Sequence, residues 1–245
     1  MTQLLDGPWA RSAPAVGGRE VLLRWLLAPL MDLYTRYEVV GRERLDNLAG
    51  PVLFVATHAS HMDTPAVLRA LPRTWRRRTA VAAAADYFYR TRLVAFTVSL
   101  AFNAVPVQRR GAAVGTRAAT ELDLLIEEGW SVVLFAEGTR SRDGTVGKLH
   151  SGAAVLAARH DIPLVPVFVS GTHAVMPVGR RFMRVGRDGL RLRRLPVEVR
   201  FGAAVHAREG EHRTEVMERV RHGLEASGAV TTRDERTRSP RPAAK

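Results

Sequence analysis

One stretch decides the fold of this chain: residues 52–65, which run Val-Leu-Phe-Val-Ala-Thr-His-Ala-Ser-His-Met-Asp-Thr-Pro. Its first five residues are apolar, as in a buried strand, and polar residues follow without a break. Open α/β sheets bind their ligands just beyond the carboxyl ends of their strands. The stretch therefore predicts a buried strand, Val52 to Ala56, followed by a turn that carries functional side chains and then by a helix.

Similar apolar runs recur along the chain, and helical patterns lie between several of them. The strand-like runs are Ala104 to Val107, Val132 to Ala136, Leu164 to Ser170 and Val197 to Phe201. Apolar residues at helical spacing mark Thr116 to Glu128, Ala153 to His160 and Glu211 to Ala226. Strands that alternate with helices indicate an α/β fold. We expect a single domain over residues 38–228, with a mostly parallel central sheet flanked by helices.

Residues 19–37 are predicted to form an amphipathic helix ahead of this domain. At about 100° per residue, Arg24, Asp32 and Arg36 fall within one sector of the helix surface, and apolar side chains cover most of the rest. Such a helix either docks on a membrane surface or packs on the protein's own core, and the pattern favours neither. Its longest unbroken apolar run, Trp25 to Met31, is too short to cross a bilayer.

The two ends of the chain are predicted to lack regular structure. Residues 1–18 contain glycine and proline and are expected to form a flexible leader. Residues 229–245 are mostly polar and basic and contain two prolines, which is typical of a disordered tail.

The charge of the chain points to an anionic partner. Its 245 residues carry a formal net charge of +13. That charge favours nucleic acid, anionic lipid headgroups or a phosphorylated substrate, and composition does not choose among them. Arginines cluster at residues 73–78 and again at 180–194, interleaved with apolar residues as in proteins that bind anionic membranes, although a solvated surface accounts for each cluster equally well. The absence of cysteine excludes disulfides, thiolate metal sites and a cysteine nucleophile.

His58 and Asp63 are the first candidates for chemistry. On a continuous helix they would point about 140° apart, so only a turn between strand and helix brings them together. An aspartate on one imidazole nitrogen fixes the tautomer and supports positive charge on the ring, and the other nitrogen then serves as a general base toward a hydroxyl. The alternative, with about equal weight, is an Asp63 that caps the helix and a His58 that is merely partly buried.

A second group of candidates follows the strand near residue 135, in the sequence Phe-Ala-Glu-Gly-Thr-Arg-Ser of residues 135–141. Gly138 and Thr139 permit a tight turn, and Arg140 offers a planar, permanently charged fork that is suited to phosphate. Glu137 is expected to hold that arginine or a substrate hydroxyl. Arg109, which follows another apolar run, is a further candidate phosphate ligand. A surface turn with a local ion pair is the alternative for residues 135–141.

Taken in order, these stretches resemble the four sequence blocks of the PlsC-like glycerolipid acyltransferases, the lysophosphatidic acid acyltransferase family. The first block, Asn-His-x4-Asp, matches at His58 and Asp63, and the second, an apolar run that ends in arginine, matches at Arg109. The third, Phe-Pro-Glu-Gly-Thr-Arg-Ser, matches at residues 135–141, and the fourth, Val-Pro-Val, matches at Val165-Pro166-Val167. Lys148 and Gly152 also fall where members often carry lysine and glycine. The resemblance spans roughly residues 20 to 205 and rests on the order of all four blocks.

The chain departs from the family pattern at three places. Thr57 replaces the usual asparagine and Ala136 the usual proline, and neither side chain is needed for the proposed proton transfer. The stretch Ala82 to Tyr89 is alanine-rich where relatives often carry a lysine and an acidic residue, and only Asp86 remains there. These departures concern the identity of the acceptor more than the type of reaction.

The resemblance implies a glycerol-3-phosphate acyltransferase-like fold and an acyltransferase that acylates lysophosphatidic acid to phosphatidic acid. His58 would deprotonate the acceptor hydroxyl, which attacks the thioester of acyl-CoA or acyl carrier protein, and Asp63 would orient His58. Arg109 and Arg140 would hold the acceptor phosphate, in a pocket shaped by Glu137 and Gly138, and Thr139 and Lys148 are further candidates for substrate binding. The resemblance implies that neither a metal nor a cofactor is needed. It also implies a peripheral or monotopic protein, which docks through its N-terminal helix on the anionic cytoplasmic face of the cell membrane.

Other functions are left open by the residues. The acceptor is alternatively glycerol 3-phosphate or another lysolipid. A metallohydrolase would use His58, His61 and Asp63, although Thr64 stands where the cluster of the metallo-β-lactamase fold has a histidine, and a basic nucleic-acid-binding protein would account for the charge without showing a binding motif. Ser60 is a weak candidate nucleophile because it lacks a Gly-x-Ser-x-Gly elbow.

Overall fold

A computed structural model describes residues 8–84, 92–107, 117–141, 143–180, 182–188 and 191–231 of the chain. In these ranges the strands are β1 (Thr35–Val40), β2 (Leu53–Ala56), β3 (Thr79–Ala84), β4 (Ala104–Val107), β5 (Ser131–Phe135), β6 (Leu164–Ser170), β7 (Gly186–Asp188), β8 (Arg191–Arg193) and β9 (Leu195–Phe201). The helices are α1 (Ala13–Leu22), α2 (Ala28–Tyr34), α3 (Asp63–Ala70), α4 (Arg73–Arg76), α5 (Arg92–Phe102), α6 (Arg117–Glu127), α7 (Gly152–His160), α8 (Thr172–Val175) and α9 (Arg213–Ala226), with a π-helical turn at Leu23–Leu27 between α1 and α2.

Seven of the strands form one sheet, in the order β1-β9-β6-β2-β5-β3-β4. All neighbouring pairs are parallel except β6 with β9. The remaining two strands, β7 and β8, form an antiparallel hairpin between α8 and β9. The predicted α/β fold with a mostly parallel sheet and flanking helices is therefore confirmed.

Strand β2 lies at the centre of this sheet, and this position explains the apolar run at the start of residues 52–65. It pairs with β6 on one side and β5 on the other, and all four of its residues are buried. Leu53 and Val55 belong to the core on one face of the sheet, whereas Phe54 and Ala56 belong to the core on the other. A strand covered on both faces needs apolar side chains at every position, which is why no polar alternation interrupts it.

The N-terminal prediction is wrong in its boundaries. Residues 13–34 are helical, so residues 8–18 are no flexible leader, while residues 1–7 lie outside the described ranges. Residues 35–40, which the prediction divided between the helix and the domain, form β1 and pair with β9 from Thr35↔Leu195 to Val40↔Arg200. β-Branched and aromatic residues dominate this segment and favour a strand. The prediction counted them only as apolar positions of a helix and so missed their preference for a strand.

The two N-terminal helices pack with one side on the domain. Val16, Leu23 and Met31 are buried, and two ion pairs tie the helices to the domain surface. In one, both carboxylate oxygens of Glu20 accept from Arg76, at 2.7 and 2.9 Å; in the other, both oxygens of Asp32 accept from Arg69, at 2.9 Å each. Arg76, of the arginine cluster at residues 73–78, is thus paired with Glu20, whereas Arg73 lies 3.8 Å from the same carboxylate with a side chain that is 69% exposed.

The opposite side of these helices is apolar and exposed. It carries Val21, Trp25, Leu26, Leu30 and Leu33, all open to solvent. Packing on the protein and presenting an apolar surface therefore occur together, and docking on a membrane stays a prediction. In the part of the chain that the structure describes, no helix has the length and apolar character needed to cross a bilayer.

Strand β6 contains Pro166, although it is an interior strand of the sheet. The ladder to β9 ends at the pair Val167↔Phe201, so Pro166 lies just beyond it, where the missing N–H removes no ladder hydrogen bond. Its ring is covered by helix α9. There Gly223 comes so close that a Cβ atom on it would lie 2.7 Å from Cγ of Pro166.

Replacing Gly223 with alanine is therefore expected to destabilise the fold, although alanine is the better helix former. The ring of Pro166 is held in the sheet and cannot yield, so overpacking should cost about 1–3 kcal/mol in the free energy of unfolding, measured by chemical denaturation. Gly18→Ala in α1 is the matched control, because a Cβ there meets nothing within 4 Å. It should gain up to about 1 kcal/mol. A Gly223→Ala variant as stable as Gly18→Ala would contradict this packing.

Candidate active site

Three loops meet at one edge of the sheet. They follow the carboxyl ends of β2, β5 and β6, which are neighbours and run parallel. The loops contain residues 57–63, 136–141 and 171–172, respectively. Because parallel neighbours end at the same edge, polar residues far apart in the sequence come together there.

His58 and Asp63 are in contact across the turn that joins β2 to α3. Nδ1 of His58 lies 2.9 Å from Oδ2 of Asp63, whose side chain is fully buried. The same carboxylate oxygen accepts from the backbone N–H groups of Ala59, at 2.7 Å, and Ser60, at 2.8 Å. Asp63 is thus the partner of the histidine and an acceptor for the turn before the helix, whereas the helix itself has Met62 at its N-cap position and no side-chain cap.

The second oxygen of Asp63 is held by a residue that the sequence did not predict. Oγ1 of Thr172 donates to Oδ1 at 2.5 Å, and Thr172 is buried. It begins α8 directly after Gly171, which has φ +79° and no room for a side chain, since a Cβ there would lie 1.9 Å from the carbonyl oxygen of Pro196. The available signal was its place just beyond the carboxyl end of a predicted strand, as for His58 and Glu137.

The imidazole of His58 is fixed from two directions. Its ring stacks on Phe135 at the end of β5, with centroids 4.1 Å apart and planes inclined by 25°. A carboxylate only accepts hydrogen bonds, so Nδ1 carries the proton that is shared with Asp63, and Nε2 keeps its lone pair. The His58 side chain is 19% exposed. The geometry therefore presents an oriented base that a substrate can reach.

Glu137 joins the loops rather than pairing with Arg140. Its Oε1 accepts from the backbone N–H of His58 at 3.1 Å, and its Oε2 from the N–H of Gly147 at 2.9 Å. Burial raises the pKa of this carboxyl, and the two N–H donors oppose that rise. The expectation that Glu137 holds the arginine or a substrate hydroxyl is replaced by a role in positioning the backbone of His58.

The rest of this loop forms the predicted tight turn. Gly138 has φ +68° and donates its N–H to the carbonyl of Phe135 at 3.0 Å. Thr139 is exposed, and the N–H of Ser141 donates to the carbonyl of His58 at 2.7 Å, a second link between the two loops. Lys148 is exposed on the segment that follows Gly147.

Arg140 offers a positive charge that its protein neighbours leave partly unsatisfied. Its Nη1 atom is buried and has no hydrogen-bond partner among the described residues. Burial of the His61 ring against its neighbours, with the charges of Arg140 and His58, lowers the pKa of His61 to about 4, so His61 is neutral at pH 7. A buried guanidinium nitrogen without an acceptor favours an anionic ligand. Arg109, the other predicted phosphate ligand, lies outside the described residues.

Two alternatives that the sequence left open involve side chains of this same turn. The hydroxyl of Ser60 is buried, donates to the carbonyl of Met176 at 2.7 Å and accepts from the N–H of Met62 at 3.1 Å, so it stabilises the turn. In the described ranges, no three histidine, aspartate or glutamate side chains converge as a metal-binding group.

Thr57, which replaces the usual asparagine, accepts from the N–H of Val169 at 2.9 Å and so links β2 to β6.

Removing the hydroxyl of Thr172 should weaken the structure around Asp63. In Thr172→Val a buried carboxylate oxygen loses a charge-assisted donor at nearly unchanged volume, so the free energy of unfolding should fall by about 1–3 kcal/mol. Thr172→Ser keeps the hydroxyl and should retain most of that stability. Chemical denaturation of the two variants beside the wild type measures the difference, and equal stability of Val and Ser variants would contradict the bond.

Comparison with known proteins places this geometry in a family. The family model described as Acyltransferase matches residues 36–170, which include His58, Asp63 and Arg140. Two curated relatives are similar over 157 residues, or 63% of this chain: the chloroplast 1-acyl-sn-glycerol-3-phosphate acyltransferases of Brassica napus, 27% identical, and Arabidopsis thaliana, 26% identical. The match covers 43% and 41% of those relatives, so the chain spans less than half of their length.

A solved structure shares the fold. It is PlsC, the 1-acyl-sn-glycerophosphate acyltransferase of Thermotoga maritima, with a TM-score of 0.58 and 24% identity over 88% of this chain and 85% of that one. The family that the four sequence blocks suggested is confirmed by the match of its model to more than half of the residues. This chain belongs to the acyltransferase family.

Proposed function

We propose that this protein transfers a fatty acyl group from a thioester to the hydroxyl of lysophosphatidic acid and so makes phosphatidic acid. The observation that carries the proposal is the oriented His58–Asp63 pair beside the unpaired guanidinium nitrogen of Arg140. A base for a hydroxyl and a cation for a phosphate are the two groups that this acceptor requires. Membership in the acyltransferase family supports the reaction, and the names of the curated relatives support the acceptor.

The proton transfer follows from the tautomer of His58. Nε2 takes the proton of the acceptor hydroxyl while the hydroxyl oxygen attacks the carbonyl carbon of the thioester. The carbon–sulfur bond then breaks, and the proton passes from Nε2 to the departing thiolate, so the acyl ester and a free thiol are formed. Asp63 stabilises the imidazolium between these steps through its 2.9 Å contact with Nδ1. His58 and Asp63 are the catalytic residues in this proposal.

The acceptor phosphate is assigned to the basic side chains around the turn. Arg140 contributes the nitrogen that lacks a protein partner, Arg109 is the second phosphate ligand expected from the sequence blocks, and we add the exposed Lys148, a predicted substrate-binding residue, to this set. Thr139 lies at the exposed face of the same turn. Glu137 and Gly138 shape this pocket indirectly, because they fix the backbone on which His58 and Arg140 are carried.

The remaining substrates and the location complete the proposal. The acyl donor is acyl-CoA or acyl carrier protein, and the proposed steps need no metal or cofactor. The exposed apolar side of the N-terminal helices docks the protein on an anionic membrane, at the cytoplasmic face of the cell membrane and without spanning it. A panel of acceptors that includes glycerol 3-phosphate and other lysolipids identifies the hydroxyl that is acylated fastest.

His58→Ala is expected to lower kcat for the release of free CoA from a long-chain acyl-CoA in the presence of lysophosphatidic acid. Positioned proton transfer contributes about 10²–10⁴-fold, so the loss should fall in that range or beyond. Release of thiol over time measures the rate, and the unfolding transition shows whether the fold is intact. Wild-type turnover in a folded His58→Ala protein would disprove the mechanism.

His61→Ala is the control that separates the proposed acyl transfer from metal-dependent hydrolysis. An acyltransferase needs only His58 as its base, so His61→Ala should retain most of kcat. A metallohydrolase that binds its ion through both histidines would lose activity equally in the two variants and would contain metal in proportion to protein.

Arg140→Lys is expected to raise KM for a phosphorylated acceptor and to change kcat less. Lysine keeps the charge and loses the planar fork, and a hydrogen bond to a charged group is worth about 1.5–3 kcal/mol, or roughly 10–150-fold in binding. Monoacylglycerol, which lacks the phosphate, should show no such change in KM. An equal effect on both acceptors would mean that Arg140 does not bind the phosphate.

A further inference from the structure

The segment between α8 and β9 exposes large apolar side chains to solvent. Phe182 is 82% exposed, more than any other large apolar side chain in the described ranges, and Leu192 on β8 is 70% exposed. Both lie in the arginine cluster of residues 180–194, and Val178, just before that cluster, is a third exposed apolar residue. Two large apolar side chains this exposed within one short segment are candidates for an interaction surface.

The apolar residues of this segment stand among arginines that point into solvent. Arg180, Arg184, Arg187, Arg193 and Arg194 are all exposed. Arg184 donates to the carbonyl of Ala174 at 2.6 Å and Arg194 to the carbonyl of Asp32 at 3.3 Å. None of the five forms an ion pair with a carboxylate among the side chains that the structure describes, which do not include that of Asp188. Their charge is therefore available to an external anion.

The segment leaves and re-enters the sheet at the edge that carries His58. It begins after α8, whose first residue, Thr172, holds Asp63, and it ends at β9, where Ser170 of β6 pairs with Glu198. It also adjoins the end of the N-terminal helices, because Leu195 pairs with Thr35 and Arg194 contacts Asp32. The exposed Leu33 and the exposed Leu192 each lie shortly before a member of the pair Thr35↔Leu195, so apolar residues of two separate elements precede adjacent strands at this edge of the sheet.

We infer that the described residues of this segment, 177–180, 182–188 and 191–194, form a second membrane-contact element, which inserts Phe182 and Leu192 into an anionic phospholipid bilayer while its arginines bind the lipid phosphates. Interfacial binding combines buried apolar area with attraction to anionic lipids. The inference deepens the proposed function, because contact through this edge turns His58 toward the bilayer, where a lipid acceptor resides.

The charge and the side-chain chemistry favour a bilayer over other occupants. A second copy of the chain in a symmetric contact would set these arginines against their equivalents, and like charges repel. Nucleic acid would use the arginines and Phe182, on which a base can stack, but the aliphatic Leu192 neither stacks on a base nor pairs with it and would stay exposed. Only a surface that is anionic outside and apolar beneath engages both sets of side chains.

The absence of cysteine from the chain makes direct detection straightforward. Phe182→Cys and Leu192→Cys each provide one attachment point for a nitrobenzoxadiazole fluorophore, whose emission shifts to shorter wavelength in an apolar environment. Leu124→Cys is the matched control, because Leu124 is also exposed but lies on α6, which packs on β4 and β5 away from β9. Vesicles contain equal parts phosphatidylcholine and phosphatidylglycerol, or phosphatidylcholine alone.

The label at residues 182 and 192 should shift its emission with the phosphatidylglycerol vesicles and far less with phosphatidylcholine, and the label at residue 124 should not respond. No shift at 182 and 192, or an equal shift at 124, would overturn the inference. This readout does not require turnover. A wild-type protein that binds vesicles without releasing CoA would therefore contradict the proposed function and leave the membrane contact standing.

The arginines are tested by cosedimentation with the same anionic vesicles. Arg187→Gln with Arg193→Gln should weaken binding by roughly fivefold for each arginine removed, about 25-fold together. Arg208→Gln with Arg213→Gln removes the same charge beyond the other end of β9 and should have little effect. Equal weakening by both pairs would reduce the effect to net charge and overturn the inference. So would a loss of duplex DNA binding by the first pair with vesicle binding unchanged.

Discussion

The site depends on one buried carboxylate. Asp63 accepts four hydrogen bonds, from Nδ1 of His58, the N–H groups of Ala59 and Ser60, and the hydroxyl of Thr172. Burying an ionised carboxylate is costly unless such donors replace its water. The four donors come from the turn after β2 and from α8, so satisfying this charge fixes both segments. The orientation of the imidazole is a consequence of the same bonds that hold the turn.

A second carboxylate, Glu137, extends this arrangement to the loop after β5. Both of its oxygens accept from backbone N–H groups, those of His58 and Gly147. The carboxylate oxygens of Asp63 and Glu137 accept hydrogen bonds from backbone N–H groups, His58 and Thr172. Neither carboxylate therefore pairs with Arg140. The Nη1 atom of Arg140 is left buried without an acceptor. The positive charge available to a phosphate thus results from how the carboxylates are used.

The sequence predicts those features that depend on residues close together along the chain. Apolar runs located β4 and β6 to the residue, and the five-residue spacing of His58 and Asp63 required the turn that is observed. The bond from Thr172 to Asp63 joins residues 109 apart, and Glu137 was assigned the wrong partner, because both contacts depend on which strands become neighbours. β3 was missed because alanine, which fills most of it, has little preference for strands.

The arrangement of the edge as a whole suits the amphiphilic acceptor that we propose. A lysolipid has a hydroxyl, a phosphate close to it and an acyl chain that stays in the bilayer. The base is His58, and the charge beside it is Arg140, close enough to contribute to the low pKa of His61. Apolar side chains continue outward from this edge through Leu33 and the segment after α8. In the proposed membrane docking the acyl chain stays in the bilayer, so the site has to accommodate only the headgroup end of the lipid, and an open sheet edge is sufficient for that.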